Sequence, residues 1–264
     1  MTLRGFLKIR RPIFFLLIIA FVATFFFQSQ YRFVSDIDDK LLEDPIQTEI
    51  LNPQKIEFEK EGIQYSLTPL YDYEINGLIV NKAKYDAWYS INDTDTVFTT
   101  DLCMIWGSNV ESGVYKSPKL AFTQDIRFCF YNWWGEDLEV DVNEVSNNHL
   151  VIDNEEIDET VQDLTEGDQI QVIGKLVNVD ISEIGTTNLS SWKTSTDRED
   201  SYGGACEVIY VEKINMLKQG NPILKMIHEL SFYGIIFLIL FEIVYSFIES
   251  RRILEKTDRL GRRI

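Results

Sequence analysis

Two long apolar runs, one near each end, most constrain what this chain can fold into. The first, Pro12 to Phe27, reads PIFFLLIIAFVATFFF and holds no charge. At about 1.5 Å per residue it spans about 24 Å, short of the ~30 Å hydrocarbon core, so a crossing needs the interfacial residues that follow, with Tyr31 as an aromatic anchor. A cleaved signal peptide is the rival reading. The run is long for such a segment and no A-x-A site follows, which favours an anchor. The second run, Leu230 to Ile248, has 19 residues, a single charge at Glu242 and no polar face, so it is read as a span and not a core helix.

Lysine and arginine set the orientation. Arg4, Lys8, Arg10 and Arg11 precede the first run, and Arg251, Arg252, Lys256, Arg259, Arg262 and Arg263 follow the second. Between the runs, residues 28–229 carry 15 Lys and Arg against 38 Asp and Glu, a balance of −23. The expected layout is a cytoplasmic basic N-terminus (1–11), a transmembrane helix (12–30), an acidic linker (31–55), an exported domain (56–216), a juxtamembrane linker (217–229), a second transmembrane helix (230–248) and a cytoplasmic basic tail (249–264). Membrane lipids are then the first partner, and the basic tail is suited to anionic headgroups. So acidic a domain repels phosphate, which counts against nucleic acid and favours a basic partner. Glu242 is costly in lipid without a partner or a route to water. With Tyr245 one turn on, two readings stand: a polar contact with another helix, from this chain or a second protein, and a carboxyl that is protonated or reaches water.

In the exported part the pattern changes to period two. Ile56 and Phe58 alternate with charges, Gly62 marks a turn, and Ile63, Tyr65 and Leu67 alternate again, as in a hairpin. Strands are expected over 73–85, 97–106 and 126–134, then a helix capped by Asp153 or Asn154 with Ile157, Val161 and Leu164 on one face. Gly167 ends that helix. A strand follows with Gly174 inside it, the signature of a bulge or barrel corner. A polar loop over 184–204 precedes the last strand, 205–211. The fold class is mainly β with one or two short helices, an OB-like small barrel, plus two transmembrane α-helices.

Three segments taken together, Asp101-Leu-Cys-Met-Ile-Trp-Gly107, Ser146-Asn-Asn-His-Leu150 and Gly203-Gly-Ala-Cys-Glu-Val-Ile-Tyr-Val211, resemble a group of uncharacterised bacterial membrane-anchored proteins over roughly residues 70–215. The resemblance implies the OB-like fold and a bacterial envelope location; the Lys and Arg distribution then places the anchor in the inner membrane with both termini cytoplasmic. It implies no reaction.

Chemistry is sparse. All three cysteines fall in expected strands. A Cys103–Cys129 bridge can join neighbouring strands, Cys206 can replace either partner, and sequence does not choose. Only His149 and His228 are present, in no metal-binding spacing, and no cofactor motif appears. Nucleophiles are limited to Cys206 with His149 and Ser195 near Lys193, neither in a recognisable motif. The turn read at Ser146–His149, with Asn148 and His149, and the 184–204 loop, with Trp192, Lys193 and Arg198, serve better as a contact surface. Alternation sends one of Trp133 and Trp134 inward. The expectation is a membrane-anchored binding or assembly module that docks another protein and is able to self-associate. An envelope enzyme acting on a surface polymer and a periplasmic sensor are the alternatives.

Overall fold

A computed structural model of the 264-residue chain describes residues 3–27, 30–60, 62–85, 97–125, 127–135, 137–183, 189–197 and 206–261. In chain order it holds α1 (Leu3–Phe27), β1 (Ile46–Glu49), β2 (Ile56–Lys60), β3 (Ile63–Lys84), β4 (Thr100–Ile105), α2 (Gly107–Glu111), β5 (Leu120–Asp125) and β6 (Phe128–Trp133). There follow β7 (Val145–Val151), α3 (Glu155–Asp163), β8 (Gln169–Glu183), β9 (Leu189–Trp192), β10 (Cys206–Lys218) and α4 (Pro222–Gly261). The chain forms two compact units, one of residues 1–28 with 221–264 and one of residues 29–220.

The helical unit is α1 and α4. Leu7–Phe27 and Pro222–Arg251 are each long and apolar enough to cross a membrane. Their surfaces are apolar outward, with Phe15, Leu16 and Ile19 of α1 and Ile223, Ile243 and Val244 of α4 exposed. Such all-round apolar faces suit helices that cross a membrane. The helices pack closely at Gly234, where a Cβ would lie 2.9 Å from Leu17 Cδ1. Polar contacts mark two levels. Thr24 Oγ1 lies 3.0 Å from His228 Nδ1, and the His228 ring stacks on Phe21 at 4.4 Å. Further along, Glu242 pairs with the Arg10 side chain. Both helices exceed the spans read from sequence, and the expected juxtamembrane linker does not exist as such. Strand β10 runs to Lys218, Asn221 takes a left-handed turn at φ 46°, and Pro222 opens α4, where its missing N–H and fixed φ suit the first turn.

The other unit is built on a closed five-stranded barrel. Strand β3 pairs antiparallel with β4, β4 antiparallel with β7, β7 parallel with β10, and β10 antiparallel with β8. An antiparallel ladder between β8 and β3 closes the ring. A parallel pair needs a crossover, and α3 with β8 supplies it. This is an OB-like Greek-key barrel. Strands β1 and β2 add to β3, and β9 adds to β8. The hairpin arm and the first barrel strand, read separately from sequence, are one 22-residue strand that passes Pro69 with a register shift. Gly174 is required by a close approach: a Cβ there would overlap the Tyr210 carbonyl oxygen, and the irregularity falls across from it in β10, between Val211 and Lys213.

Three cores result. The barrel interior holds Tyr73, Ile75, Leu102, Met104, Ile170 and Val172, with Val161 and Leu164 of the α3 segment closing it. Asn154 caps α3, its Oδ1 accepting from the amides of Glu156 at 2.9 Å and Ile157 at 3.3 Å. Lys82 Nζ donates to the carbonyls of Gln162 and Leu164 at the other end. Asn154→Ala is expected to cost about 1 kcal/mol, read as a lower urea midpoint with an unchanged slope. An unchanged midpoint would mean the cap is redundant.

The segment expected as an acidic linker, 31–55, belongs to this unit. Tyr31, Val34 and Leu41 are buried with Leu78, Val80 and Ile105, and β1 pairs with β3. Tyr115 Oη fixes the entry by donating to the Val34 carbonyl at 2.7 Å. Further elements depart from the sequence reading: β7 lies where a turn is expected and β9 inside the expected 184–204 loop. The short α2 follows β4, and the strand expected over 126–134 is the second arm of a separate hairpin, β5–β6.

Candidate functional site

The outer wall of β4, β7 and β10 gathers the unit's chemistry. Side chains two apart share a face of a strand. Register sets Cys103, Asn147 and Cys206 in one row and Asp101, His149 and Val208 in the next. In an OB-like barrel the outer face of the second and third strands, here β4 and β7, is the usual ligand surface. Here the β5–β6 hairpin lies over it. A disulfide joins Cys103 to Cys129, with Cα atoms 5.8 Å apart. Cys129 sits on β6, which pairs with β5 and not with β4, so the bridge ties the hairpin to the wall and does not join neighbours in one sheet. Gln124 Nε2 donates to Asn147 Oδ1 at 3.1 Å, and Asn147 Nδ2 donates to the Arg127 carbonyl at 2.8 Å.

Beneath the hairpin lies a buried charged network. Asp101 is fully buried and His149 is 2% exposed. His149 Nδ1 lies 2.9 Å from Asp101 Oδ1. Arg127 Nη1 lies 3.4 Å from the same oxygen and donates to the Phe98 carbonyl at 3.0 Å. The Arg127 guanidinium stacks 3.6 Å from the centroid of the Tyr85 ring. Burial first, then Asp101, holds the Tyr85 phenol above its ordinary range. Burial works against charge on His149, but the Asp101 carboxylate and the Cys206 thiol beside it outweigh that and push the imidazole up to about 9. Phe98 and Trp192 pack edge-on against that ring, with Trp192 at 5.3 Å. Arg127 adopts φ 66°, a conformation disfavoured for a side chain of its size. That conformation lets one residue offer both its carbonyl to Asn147 and its guanidinium to Asp101.

Two residues of the expected contact surface, Asn148 and His149, do not reach solvent. Asn148 and His149 are in mid-strand and not in a turn. Asn148 faces the opposite side, fully buried, donating to the Leu102 carbonyl at 3.1 Å and to Ser146 Oγ at 2.8 Å. Trp192 packs with Phe98 at 4.8 Å instead of standing free. Lys193 is exposed. Arg198 lies outside the described residues. Ser195 is buried, its hydroxyl donating to the Asp197 carbonyl at 3.0 Å. Asp101 and Arg127 were not singled out by sequence, where one is a lone acid in an apolar run and the other a lone base before aromatics.

Two other surfaces stand out. On the hairpin Phe128, Phe130, Trp133 and Trp134 are 37, 48, 41 and 57% exposed. Neither tryptophan is turned inward as alternation had suggested, because β6 ends at Trp133 and Trp134 leaves the strand, its amide donating to the Lys119 carbonyl at 3.2 Å. A cleft of about 400 Å³ beside α3 is lined by Phe58, Lys60, Ile152, Asp153 and Asp158. In the helical unit the partner of Glu242 is Arg10 of the same chain, whose guanidinium also sits 5.3 Å from the Tyr245 ring. The chain matches no protein-family model, no curated protein and no solved structure.

Proposed function

We propose that this protein is a membrane-anchored docking module of a bacterial envelope complex. On this reading it lies in the inner membrane with both termini in the cytoplasm, and its OB-like unit sits on the outer side. Basic residues flanking the two apolar helices support that orientation. The resemblance of the 101–107, 146–150 and 203–211 segments to bacterial membrane-anchored proteins points the same way.

One observation carries the docking role: four large aromatic side chains stand exposed on and beside the β5–β6 hairpin. Aromatics of this kind anchor protein interfaces. The occupant is a protein with an apolar patch ringed by Lys and Arg. The −23 balance of residues 28–229 repels both anionic lipid and a second copy of the same domain, and it attracts a basic surface. Asp125, Asp137 and Glu139 border the aromatics in sequence and suit such a rim.

A photocrosslinking residue in place of Phe130, in the full chain in native membranes, tests this. The expected product is an adduct to a basic protein, abolished by Trp134→Asp and reduced several-fold by raised salt. An adduct to lipid, an adduct to a second copy, or a protein adduct indifferent to Trp134→Asp would overturn the reading.

A further inference from the structure

The barrel wall contains an ordered set of groups that docking does not use. Two of the three cysteines are bonded to each other, and Cys206 is a free thiol. It opens β10 and is partly exposed, whereas His149 and Asp101 behind it are buried. The order from surface to interior is therefore sulfur, imidazole, carboxylate. We infer that Cys206 is the nucleophile of a thiol centre, with His149 as its base and Asp101 orienting His149, and that its substrate class is an acyl donor, an ester or amide carbonyl.

Several observations distinguish this from a histidine that merely fills a core. The residues come from three adjacent strands in consecutive rows, so the fold holds them in fixed register. The imidazole has Asp101 Oδ1 2.9 Å from its Nδ1, and Cys206 stands one row along on the adjacent strand, on the same face. That is the nucleophile, base and orienter relation that activates a thiol. Asn147 Nδ2 lies 3.5 Å from Cys206 Sγ, so an amide donor is already beside the reacting atom, where a carbonyl oxygen would gain charge. Phe98 and Trp192 flank the ring and restrict water at the base. The groups facing His149 are Asp101 from β4, Cys206 from β10 and the aromatic walls, and Arg127 and Tyr85 meet the far side of Asp101. A buried charge cluster is costly to assemble for stability alone, and clusters of this kind concentrate at reactive sites.

The step balances without a further reactant. Sγ attacks the carbonyl carbon, and the thiol proton resides on His149. The carbonyl oxygen becomes an oxyanion beside Asn147. When it collapses, the C–O or C–N bond breaks, and the leaving alcohol or amine takes the proton from His149. A thioester remains on Cys206. Water then attacks it, giving its proton to His149, and the acid leaves as the thiol is restored.

The test uses the full-length protein in detergent. Iodoacetamide modification of Cys206, followed by mass mapping from pH 5 to 10, should proceed well below the ordinary thiol range near pH 8.5. His149→Gln should slow the reaction at pH 6 by about tenfold or more and restore an ordinary thiol profile. p-Nitrophenyl acetate should leave an acetyl group on Cys206 of the wild-type chain and none on Cys206→Ala. An intact Cys103–Cys129 bridge in each variant shows that the wall is folded. Should the wild-type profile be that of an ordinary thiol, Cys206 be inert, or no acetyl adduct form, the assignment falls, whatever the variants do.

Discussion

Asp101→Ala is expected to destabilise the β unit by about 3–5 kcal/mol, because it removes one member of a buried ionic network and strands the others. The Asp101 carboxylate has no solvent to turn to, and both His149 and Arg127 approach the same oxygen. The effect should depend on pH. In the folded chain the His149 imidazole is raised to about 9 from an ordinary value of 6.5, so the imidazolium contributes stability that is complete below about 6.5 and lost as pH rises through about 9. The stability gap between wild type and Asp101→Ala should therefore shrink between pH 6 and pH 10, by on the order of 3 kcal/mol at most. Urea unfolding of the detergent-solubilised protein, followed by tryptophan fluorescence at several pH values, measures it. A gap that stays constant over that range would show that His149 is not charged in the folded state.

Opening the Cys103–Cys129 bridge should cost nearly as much. The sequence separation is 26 residues, and loop-closure entropy for a loop of that size is worth about 3–4 kcal/mol. The loss has a definite place. Cys129 is packed with Leu120, Phe122 and Tyr131 of its own hairpin, and Cys103 with Ile105 of the wall. Without the bond the hairpin keeps its packing, the hydrogen bonds of Gln124, Arg127 and Asn147, and those that Arg32 and Asn81 donate to the carbonyls of Leu120 and Phe122. The double replacement Cys103→Ser with Cys129→Ser avoids a false pairing with Cys206. It should lower the urea midpoint and speed proteolytic cutting within residues 117–135. An unchanged midpoint with unchanged cutting would mean that packing alone seats the hairpin.

The legibility of this chain in its sequence follows from how local each cause is. Strand β2, the first part of β3 and β8 announce themselves by alternation, α3 by Asn154 and the spacing of Ile157, Val161 and Leu164, and the long helices by their unbroken apolar runs. The segment around Tyr31, Val34 and Leu41 failed to show, because three irregularly spaced apolar residues make no period yet suffice to fill a groove. Strand β5 has its apolar residues in one short block, Leu120 to Phe122, which shows no alternation in sequence, and it is paired with β6. The polar run Ser146–His149 reads as a turn by composition, but it is a strand with Asn147 and His149 serving the charged wall and Ser146 and Asn148 bonding each other behind it. Asp101 was invisible as a site residue for a related reason. Its partners His149 and Arg127 lie on other elements, and only the fold brings them together.

Strand β3 gives Tyr73, Ile75 and Ile79 to the barrel interior, Leu78 and Val80 to the layer under the hairpin, and Tyr65 and Leu67 to the third cluster. One backbone is thus a girder common to three floors. No floor can give way without dragging on the beam that supports the others, so the whole β unit should stand or melt as a single storey.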